Sequence, residues 1–350
     1  MEEAGTLLSR PLCALAVFYN ALLGVILKLR TILAVPALAG VLFSSACSSL
    51  PHTEGEKYYL IVPNTKSAYF VQVAAGLNAA ARDLQVHVAL IGPETYDAGM
   101  ENSEFQRIAA TKPNGILVSV ADAKLMTPSI DAAIAGGVPV ITVDSDAESS
   151  KRLFFVGTNN FESGQMGGRL LAEKLHGEGN VAVLYTFGQP NLELRLEGYK
   201  SILAAHPGMK LVDTADLKGD PTAAFDAAEK ILNKPNAKVD AIVLLEGQSG
   251  QQVAEVLHRD NKKIPLIAMD ALAPTLDAIE SGWITASVTQ KPFTMGYFGL
   301  RMLADVELNK PPSLTADFVH DPNSRLPRFI DTGSAMVDQS NLAVYRAASK

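Results

Sequence analysis

Short apolar runs alternate with amphipathic stretches along the chain from Tyr58 onward. The runs YYLIVP, VHVALIG and GILVSV predict strands, and the stretches YFVQVAAGLNAAARDL and EFQRIAAT between them predict helices. Strands that alternate with helices favour βαβ units and a parallel sheet. The strand segments are apolar on both faces, which is typical of strands covered by helices on each side.

The alternation starts again after the segment LFFVGTNN, with the predicted helix FESGQMGGRLLAEKLHG and the predicted strand NVAVLYTF. Further helices and strands follow as far as the segment IPLIAMD. Two successive halves of similar length predict an α/β fold with two similar, doubly wound parallel-sheet lobes.

Two stretches, GGVPVITVDSDAE and KKIPLIAMDALAP, share one frame. In each, a proline (Pro139 or Pro265) precedes an apolar run that ends in an aspartate (Asp144 or Asp270), and the offset between the copies is constant. Ligands of open α/β sheets bind outside the carboxyl ends of the strands. If the lobes face each other, both carboxylates project into one interlobe cleft.

The chain is expected to cross between the lobes three times, near 157–160, 289–291 and 328–332, which makes a three-strand hinge and two discontinuous domains. The boundaries that follow are 58–157 plus 291–328 for lobe 1, and 158–290 plus 329–350 for lobe 2.

The N-terminal segment differs in composition from the rest of the chain. Lys28 and Arg30 precede an apolar stretch and small residues before Cys47, which is the anatomy of an export signal. The segment FSSAC resembles a bacterial lipoprotein signal, in which the cysteine becomes a lipid anchor. Ordinary cleavage and an uncleaved membrane helix are the alternatives. We interpret 1–46 as the signal, with 1–27 a mis-assigned start, and 47–57 as a polar tether.

The formal net charge is −7, and no block of Lys or Arg occurs outside the N-terminus, so a nucleic-acid partner is not expected. The segment GEGNVA follows a helix instead of a strand, which is the wrong context for a dinucleotide fingerprint. The six histidines are scattered without metal-ligand spacing. The sequence therefore predicts no cofactor, no metal and no enzymatic activity.

Several dispersed motifs resemble those of type I periplasmic binding proteins of the ribose/galactose-binding kind, which are solute receptors of ABC importers and are related to the effector domains of LacI-type repressors. The resemblance extends from about Tyr58 to Val344. The motifs are VPNTKSAYFVQVAAGL, ITVDSDA, VGTNNFESGQMGG, NLELRLEGY, IAMDALAP and ITASVTQKP.

The resemblance implies that aromatic side chains stack on a sugar ring, that carboxylates accept hydroxyl hydrogen bonds, and that an arginine and amides complete the site. By position in the motifs these residues are Tyr69, Phe70, Asp144, Asn159, Arg195, Asp270 and Gln290. The chain departs from ribose binders at three places, where it has Ser145, Glu246 with Gly247, and Lys66 with Ser67. Lys66 and Glu246 would pair across the closed cleft, select a charged or amino-bearing ligand, or be solvated surface charges.

The implied function is capture of a sugar or sugar-like ligand by hinge closure and its delivery to the membrane subunits of an ABC importer. The alternative is a periplasmic sensor that presents its closed form to a membrane kinase or chemoreceptor. A glycosidase with Asp144 and Asp270 as acid and base is disfavoured, because a closing cleft explains the pair without chemistry. We expect an exported monomer in the periplasm or cell envelope that contacts the membrane only through its lipid anchor.

Overall fold

The computed structural model describes residues 52–235, 238–318 and 321–348. The predicted export signal, Cys47 and the first part of the predicted tether lie outside the described residues. Within the described ranges, no helix combines the length and the apolar character that a bilayer-spanning segment requires.

The first sheet has six strands, and every neighbouring pair in it is parallel. Its helices pack in two pairs, α1 (Ala68–Leu84) with α9 (Pro292–Leu308) and α2 (Ala98–Ala109) with α3 (Ala123–Ala135). In spatial order the strands are β11 (Phe329–Asp331), β5 (Phe155–Gly157), β4 (Val140–Val143), β3 (Gly115–Val118), β1 (Lys57–Ile61) and β2 (His87–Ile91). The helices are α1 (Ala68–Leu84), α2 (Ala98–Ala109), α3 (Ala123–Ala135) and α9 (Pro292–Leu308).

The second sheet also has six strands, and it is parallel except for one antiparallel edge pair, β12 (Ala335–Asp338) with β10 (Ala286–Thr289). In spatial order the strands are β12 (Ala335–Asp338), β10 (Ala286–Thr289), β9 (Leu266–Met269), β8 (Ala241–Leu244), β6 (Glu178–Tyr185) and β7 (Gly208–Asp216). The helices are α4 (Asn160–Lys174), α5 (Pro190–Ala204), α6 (Ala223–Leu232), α7 (Gly250–Arg259), α8 (Ala273–Glu280) and α10 (Leu342–Ala348).

The central strands are buried on both sides because helices cover both faces of each sheet. All residues of β4 and of β9 are buried, as the runs VITV and LIAM predict for covered parallel strands. Each sheet with its helices forms a lobe, and the predicted fold class of two similar α/β lobes is confirmed.

Glycines allow one pair of helices in each lobe to pack backbone to backbone. A Cβ atom at Gly76 would lie 1.9 Å from a carbonyl oxygen of α9, and one at Gly296 would lie 2.0 Å from a carbonyl oxygen of α1. In the second lobe, Cβ atoms at Gly164 and Gly198 would lie 2.1 and 2.2 Å from carbonyl oxygens of α5 and α4. Real Cβ atoms do not approach backbone so closely, so these crossings require glycine.

The chain crosses between the sheets three times: from β5 to α4, from β10 to α9, and from β11 to β12. The third crossing differs from the sequence expectation, which placed 329–350 in lobe 2. Residues Phe329–Asp331 pair with β5 of the first sheet, and the Phe329 ring stacks on the Phe155 ring at 5.1 Å. The crossing therefore lies at 332–334.

The structure also differs from the tether predicted for 47–57. His52 and Glu56 are buried, with exposures of 4% and 8%. The Glu56 carboxylate accepts from the Tyr58 hydroxyl at 2.7 Å and lies 3.0 Å from His52 Nδ1. Polar composition suggested a solvated linker here, whereas a buried hydrogen-bond cluster fixes 52–56 to the first lobe.

Candidate functional site

A cavity of about 80 Å³ lies between the carboxyl ends of the two sheets. One water molecule needs roughly 10–15 Å³ of such space, so the cavity has room for a small polar ligand in place of several waters. Side chains from both lobes line it. They include Asn64, Ser67, Tyr69, Phe70, Tyr96, Asp144, Thr186, Gln189, Asn191, Arg195, Glu246, Gln248, Asp270 and Gln290.

The two aspartates of the repeated frame occupy equivalent positions. Asp144 follows β4 and Asp270 follows β9, and both have left-handed backbones, with φ of 62° and 63°. Their N–H groups donate to Val156 at 3.1 Å and Val288 at 2.8 Å, each on the neighbouring strand. Aspartate tolerates this conformation better than most residues because its short side chain can hydrogen-bond locally. The backbone thus fixes both carboxylates at strand ends, in the cavity lining.

Asp144 is almost fully buried, and hydrogen bonds from both lobes converge on it. Its carboxylate accepts from the Tyr69 hydroxyl at 2.7 Å and from Ser119 Oγ at 2.8 Å. Asn191 of the second lobe also hydrogen-bonds to it. Burial raises the pKa of Asp144, and the charge of Arg195 together with these hydrogen bonds opposes the rise.

Arg195 is held in one orientation by three acceptors. Its Nε donates to Asn160 Oδ1 at 2.9 Å, its Nη1 to the Leu245 carbonyl at 2.7 Å, and its Nη2 to Gln290 Oε1 at 2.8 Å. The backbone of Arg195 also packs directly against Gly164. Since a guanidinium has five N–H donors, two remain for a ligand.

Gln290 connects the second-lobe aspartate to the hinge. Its Nε2 donates to Asp270 Oδ1 at 2.9 Å, and its Oε1 accepts from Thr158 Oγ1 at 2.9 Å. Thr158 lies on the first crossing and Gln290 on the second. The pKa of Asp270 is raised to about 6, chiefly by burial and also by the nearby Asp144 charge, while the Arg195 charge and the Gln290 hydrogen bond oppose the rise.

The two lobes contact each other directly at the cavity rim. Gln248 Nε2 of the second lobe donates to Ser67 Oγ of the first at 3.1 Å. The Tyr96 ring of the first lobe packs against Gly219 of the second, where a Cβ atom would lie 2.2 Å from the ring. These contacts describe lobes that are closed on the cavity.

The geometry is that of a binding cleft, and comparison with known proteins agrees with it. A family model of the periplasmic binding protein domain matches residues 58–311. The chain belongs to this family. The family predicted from the sequence motifs is therefore confirmed.

Individual periplasmic binding proteins are similar to this chain over most of its length. The ribose import binding protein RbsB of Bacillus subtilis (strain 168) is 23% identical over 250 residues, 71% of this chain and 80% of RbsB. The solved structure of GanP, a glucose-galactose binding protein from Geobacillus stearothermophilus, has a TM-score of 0.75 at 26% identity, covering 82% of this chain and 98% of GanP. A chain of a solved XylFII–LytSN complex has a TM-score of 0.73 at 27% identity, covering 81% of this chain and 98% of that one.

In this periplasmic binding protein, most residues that the sequence motifs nominated line the same cavity: Tyr69, Phe70, Asp144, Arg195, Glu246, Asp270 and Gln290. The aromatic pair differs from the expectation in one respect. The rings of Tyr69 and Phe70 meet edge to face at 5.4 Å, and the Tyr69 hydroxyl is engaged by Asp144. Tyr69 therefore orients the carboxylate, and Phe70 is the better candidate for stacking on a ligand.

Two nominated residues do not line the cavity. Asn159 caps α4, where its Oδ1 accepts from the backbone N–H of Glu162 at 3.2 Å. Lys66 is exposed and lies 3.5 Å from Glu94, so the predicted pair between Lys66 and Glu246 is not formed. The Glu246 carboxylate instead accepts from Thr186 Oγ1 at 2.7 Å within the second lobe.

Sequence reasoning missed several polar residues of the lining: Asn64, Ser67, Thr186, Gln189, Asn191 and Gln248. They lie in loops after strands or in the first turn of a helix, where an isolated polar residue carries no distinctive pattern. Asn191 is the most informative, because its buried Oδ1 has no hydrogen-bond partner among the described residues.

Among the described residues, no group of three His, Cys, Asp or Glu side chains is arranged to hold a metal ion. The chemistry available in the cavity is hydrogen bonding and charge from carboxylates, amides, hydroxyls and one guanidinium, beside the Phe70 ring.

Proposed function

We propose that this chain is the solute-binding component of an ABC importer and captures a sugar or sugar-like polar ligand between its lobes without converting it chemically. The observation that carries the proposal is the convergence of Asp144 from one lobe with Asp270 and Arg195 from the other on a single cavity. Carboxylates accept and a guanidinium donates, so the three groups match a molecule with several hydroxyls.

Ligand-driven closure follows from the way the contacts are divided between the lobes. A ligand in the cavity touches groups of both lobes at once, and so stabilises the closed state relative to any open one. The hydrogen bond between Ser67 and Gln248 at 3.1 Å stabilises the closed state slightly even without a ligand. The unpartnered Asn191 Oδ1 gains a donor only when ligand is present.

The proposal is tested by thermal shift over pentoses, hexoses, amino sugars and polyols, followed by calorimetry on the ligand found. A true ligand at 100 times its dissociation constant adds about 2.7 kcal/mol of apparent stability. In Asp144→Ala, Arg195→Ala and Asp270→Ala, loss of a charged hydrogen-bond partner typically costs about 1.5–3 kcal/mol, so each should bind at least tenfold more weakly. Lys66→Ala is the control, since its side chain is 69% exposed. If all four variants bind equally, the site assignment is wrong.

We further propose that the mature protein is exported and anchored by lipid at Cys47. The support is the basic pair Lys28 and Arg30, the apolar stretch that follows, and the segment FSSAC. Cys47→Ser should move the protein from the membrane fraction to the soluble periplasmic fraction. Retention in the membrane would favour an uncleaved helix instead.

A second candidate role is sensing, with the closed lobes presented to a membrane protein other than an importer. It is supported by the similarity to a protein that has been solved in a XylFII–LytSN complex. Deletion of this chain separates the roles, because uptake of the ligand is lost only if this chain serves transport.

A further inference from the structure

Carboxylates outnumber cations in the cavity lining. Three carboxylates, those of Asp144, Glu246 and Asp270, line it, and Arg195 is the one basic residue among the described lining residues. With every group ionised, the site carries an excess of negative charge in a buried place. Buried charges are normally paired or neutralised, because transfer out of water is expensive.

None of these carboxylates has an ion-pair partner. The ion pairs among the described residues include none of Asp144, Glu246 and Asp270. The hydrogen bonds of Arg195 go to amide and carbonyl oxygens instead. Burial raises the pKa of Asp144 and of Asp270, and the Arg195 charge opposes the rise. One guanidinium cannot balance three carboxylates, however, so negative charge is left for a ligand to balance.

Asp270 and the loop that carries Glu246 are neighbours in the cavity wall and form one corner of it. Asp270 Oδ2 lies so near Gly247 that a Cβ atom there would approach it to 2.2 Å, and Glu246 is the preceding residue. Asp270 Oδ1 accepts from Gln290, whereas Oδ2 receives no hydrogen bond from the described residues. Glu246 accepts from Thr186 and, at 3.2 Å, from Ser249 Oγ. The corner thus offers acceptors and negative charge.

Asp270 Oδ2 is an acceptor that receives no hydrogen bond from the described residues at this corner, and the buried Asn191 Oδ1 is a second such acceptor in the cavity lining. A hydroxyl brings one donor and also requires a donor from its surroundings, whereas an ammonium group brings three donors, a positive charge and no acceptor. An ammonium group fits this corner better than a hydroxyl.

We propose that the ligand carries a protonated amino group, as an amino sugar or amino polyol does, and that this group binds between Asp270 and Glu246. The inference rests on the proposed sugar-binding function and names the ligand class for the same site. Burial raises the pKa of both carboxyls, as expected for buried acids that have no bound cation beside them.

The test compares matched ligands by calorimetry at pH 7. Galactose, glucose, mannose and xylitol are each measured against analogues with an amine at different carbons, and against the N-acetylated forms, which keep the size and lose the charge. We expect one amine to bind at least tenfold more tightly than both its neutral parent and its N-acetyl form. Glu246→Gln should reduce that ratio at least fivefold. Glu255→Gln, which removes an exposed charge on α7, should leave it unchanged.

The outcomes separate the two proposals. If a neutral sugar binds at least as tightly as every amine, the amine inference is wrong while sugar binding stands. If no sugar, polyol or amine binds, the proposed function itself fails. If an amine is preferred but the ratio is unaffected by Glu246→Gln, the amine is not bound at this corner and the inference is overturned.

Discussion

Replacing Asp270 with asparagine should stabilise the empty protein and weaken ligand binding in the same variant. Asp270 is 8% exposed and carries a carboxyl whose pKa is raised by burial to about 6. An acid with a raised pKa binds its proton more tightly in the folded state. Its contribution to stability is therefore full below its ordinary pKa and is lost as the pH rises through 6. Asparagine has no proton to lose.

The size of this stability difference follows from the pKa shift of Asp270. The pKa rises from 3.8 to about 6, and each unit corresponds to about 1.4 kcal/mol, so ionisation of Asp270 costs the empty protein about 3 kcal/mol. The asparagine Oδ1 still accepts the hydrogen bond that Gln290 donates to Asp270 at 2.9 Å, so little is lost in exchange. Asp270→Asn should match the parent below about pH 4 and exceed it by up to about 3 kcal/mol above about pH 7.

Denaturant unfolding of ligand-free protein between pH 4 and pH 8 measures this difference directly. Glu255→Gln is the matched control, because it removes one exposed carboxylate and should run parallel to the parent. Calorimetry with the identified ligand should show affinity at least tenfold lower in Asp270→Asn, since the charged acceptor is gone. If the unfolding free energy of Asp270→Asn also differs from that of the parent by the same amount at all pH values, burial in the closed cavity does not destabilise the ionised form of Asp270.

Two further predictions concern the first lobe. Glu101 is fully buried, one of its carboxyl oxygens has no partner among the described residues, and burial raises its pKa well above the ordinary value. Glu101→Gln should therefore gain stability over the parent as the pH rises from 4 to 8, and a constant difference in unfolding free energy would contradict this. Gly296→Ala should lower the unfolding free energy by about 1–3 kcal/mol, because its Cβ atom would lie 2.0 Å from the Val73 carbonyl oxygen. The control Gly55→Ala, with its nearest neighbour at 3.7 Å, should unfold at the parental temperature.

The fold was predictable because burial on both faces leaves a strong local signal. Strands such as VITV and LIAM are almost entirely apolar, whereas in the helices between them the apolar residues recur with the helical period. The frame around Asp144 and Asp270 also placed two carboxylates at equivalent strand ends, which the structure brings to one cavity.

The remaining features depend on contacts that no local pattern encodes. Lys66 and Ser67 are neighbours in the sequence, yet the first is exposed and the second is buried against Gln248 of the other lobe. Whether Lys66 or Ser67 faces the cavity depends on how the lobes close. The strand Phe329–Asp331 has three residues, too short for a period to be recognised. In the polar segment before Tyr58, His52 and Glu56 are buried and hydrogen-bonded, and composition cannot distinguish such residues from solvated ones.

Some residues of the cavity lining are bonded to the segments that cross between the lobes, and others are not. Glu246 and Gly247 lie in one short loop between β8 and α7, which forms no part of the three crossings. Asp270, by contrast, is joined through Gln290 to Thr158, and therefore to the first two crossings. Substitutions of Glu246 and Gly247 can change ligand preference while the closing motion is preserved, whereas substitutions at Gln290 change both together. Over evolutionary time, new specificities should arise in this lineage through the loop, while Gln290 and its partners change slowly.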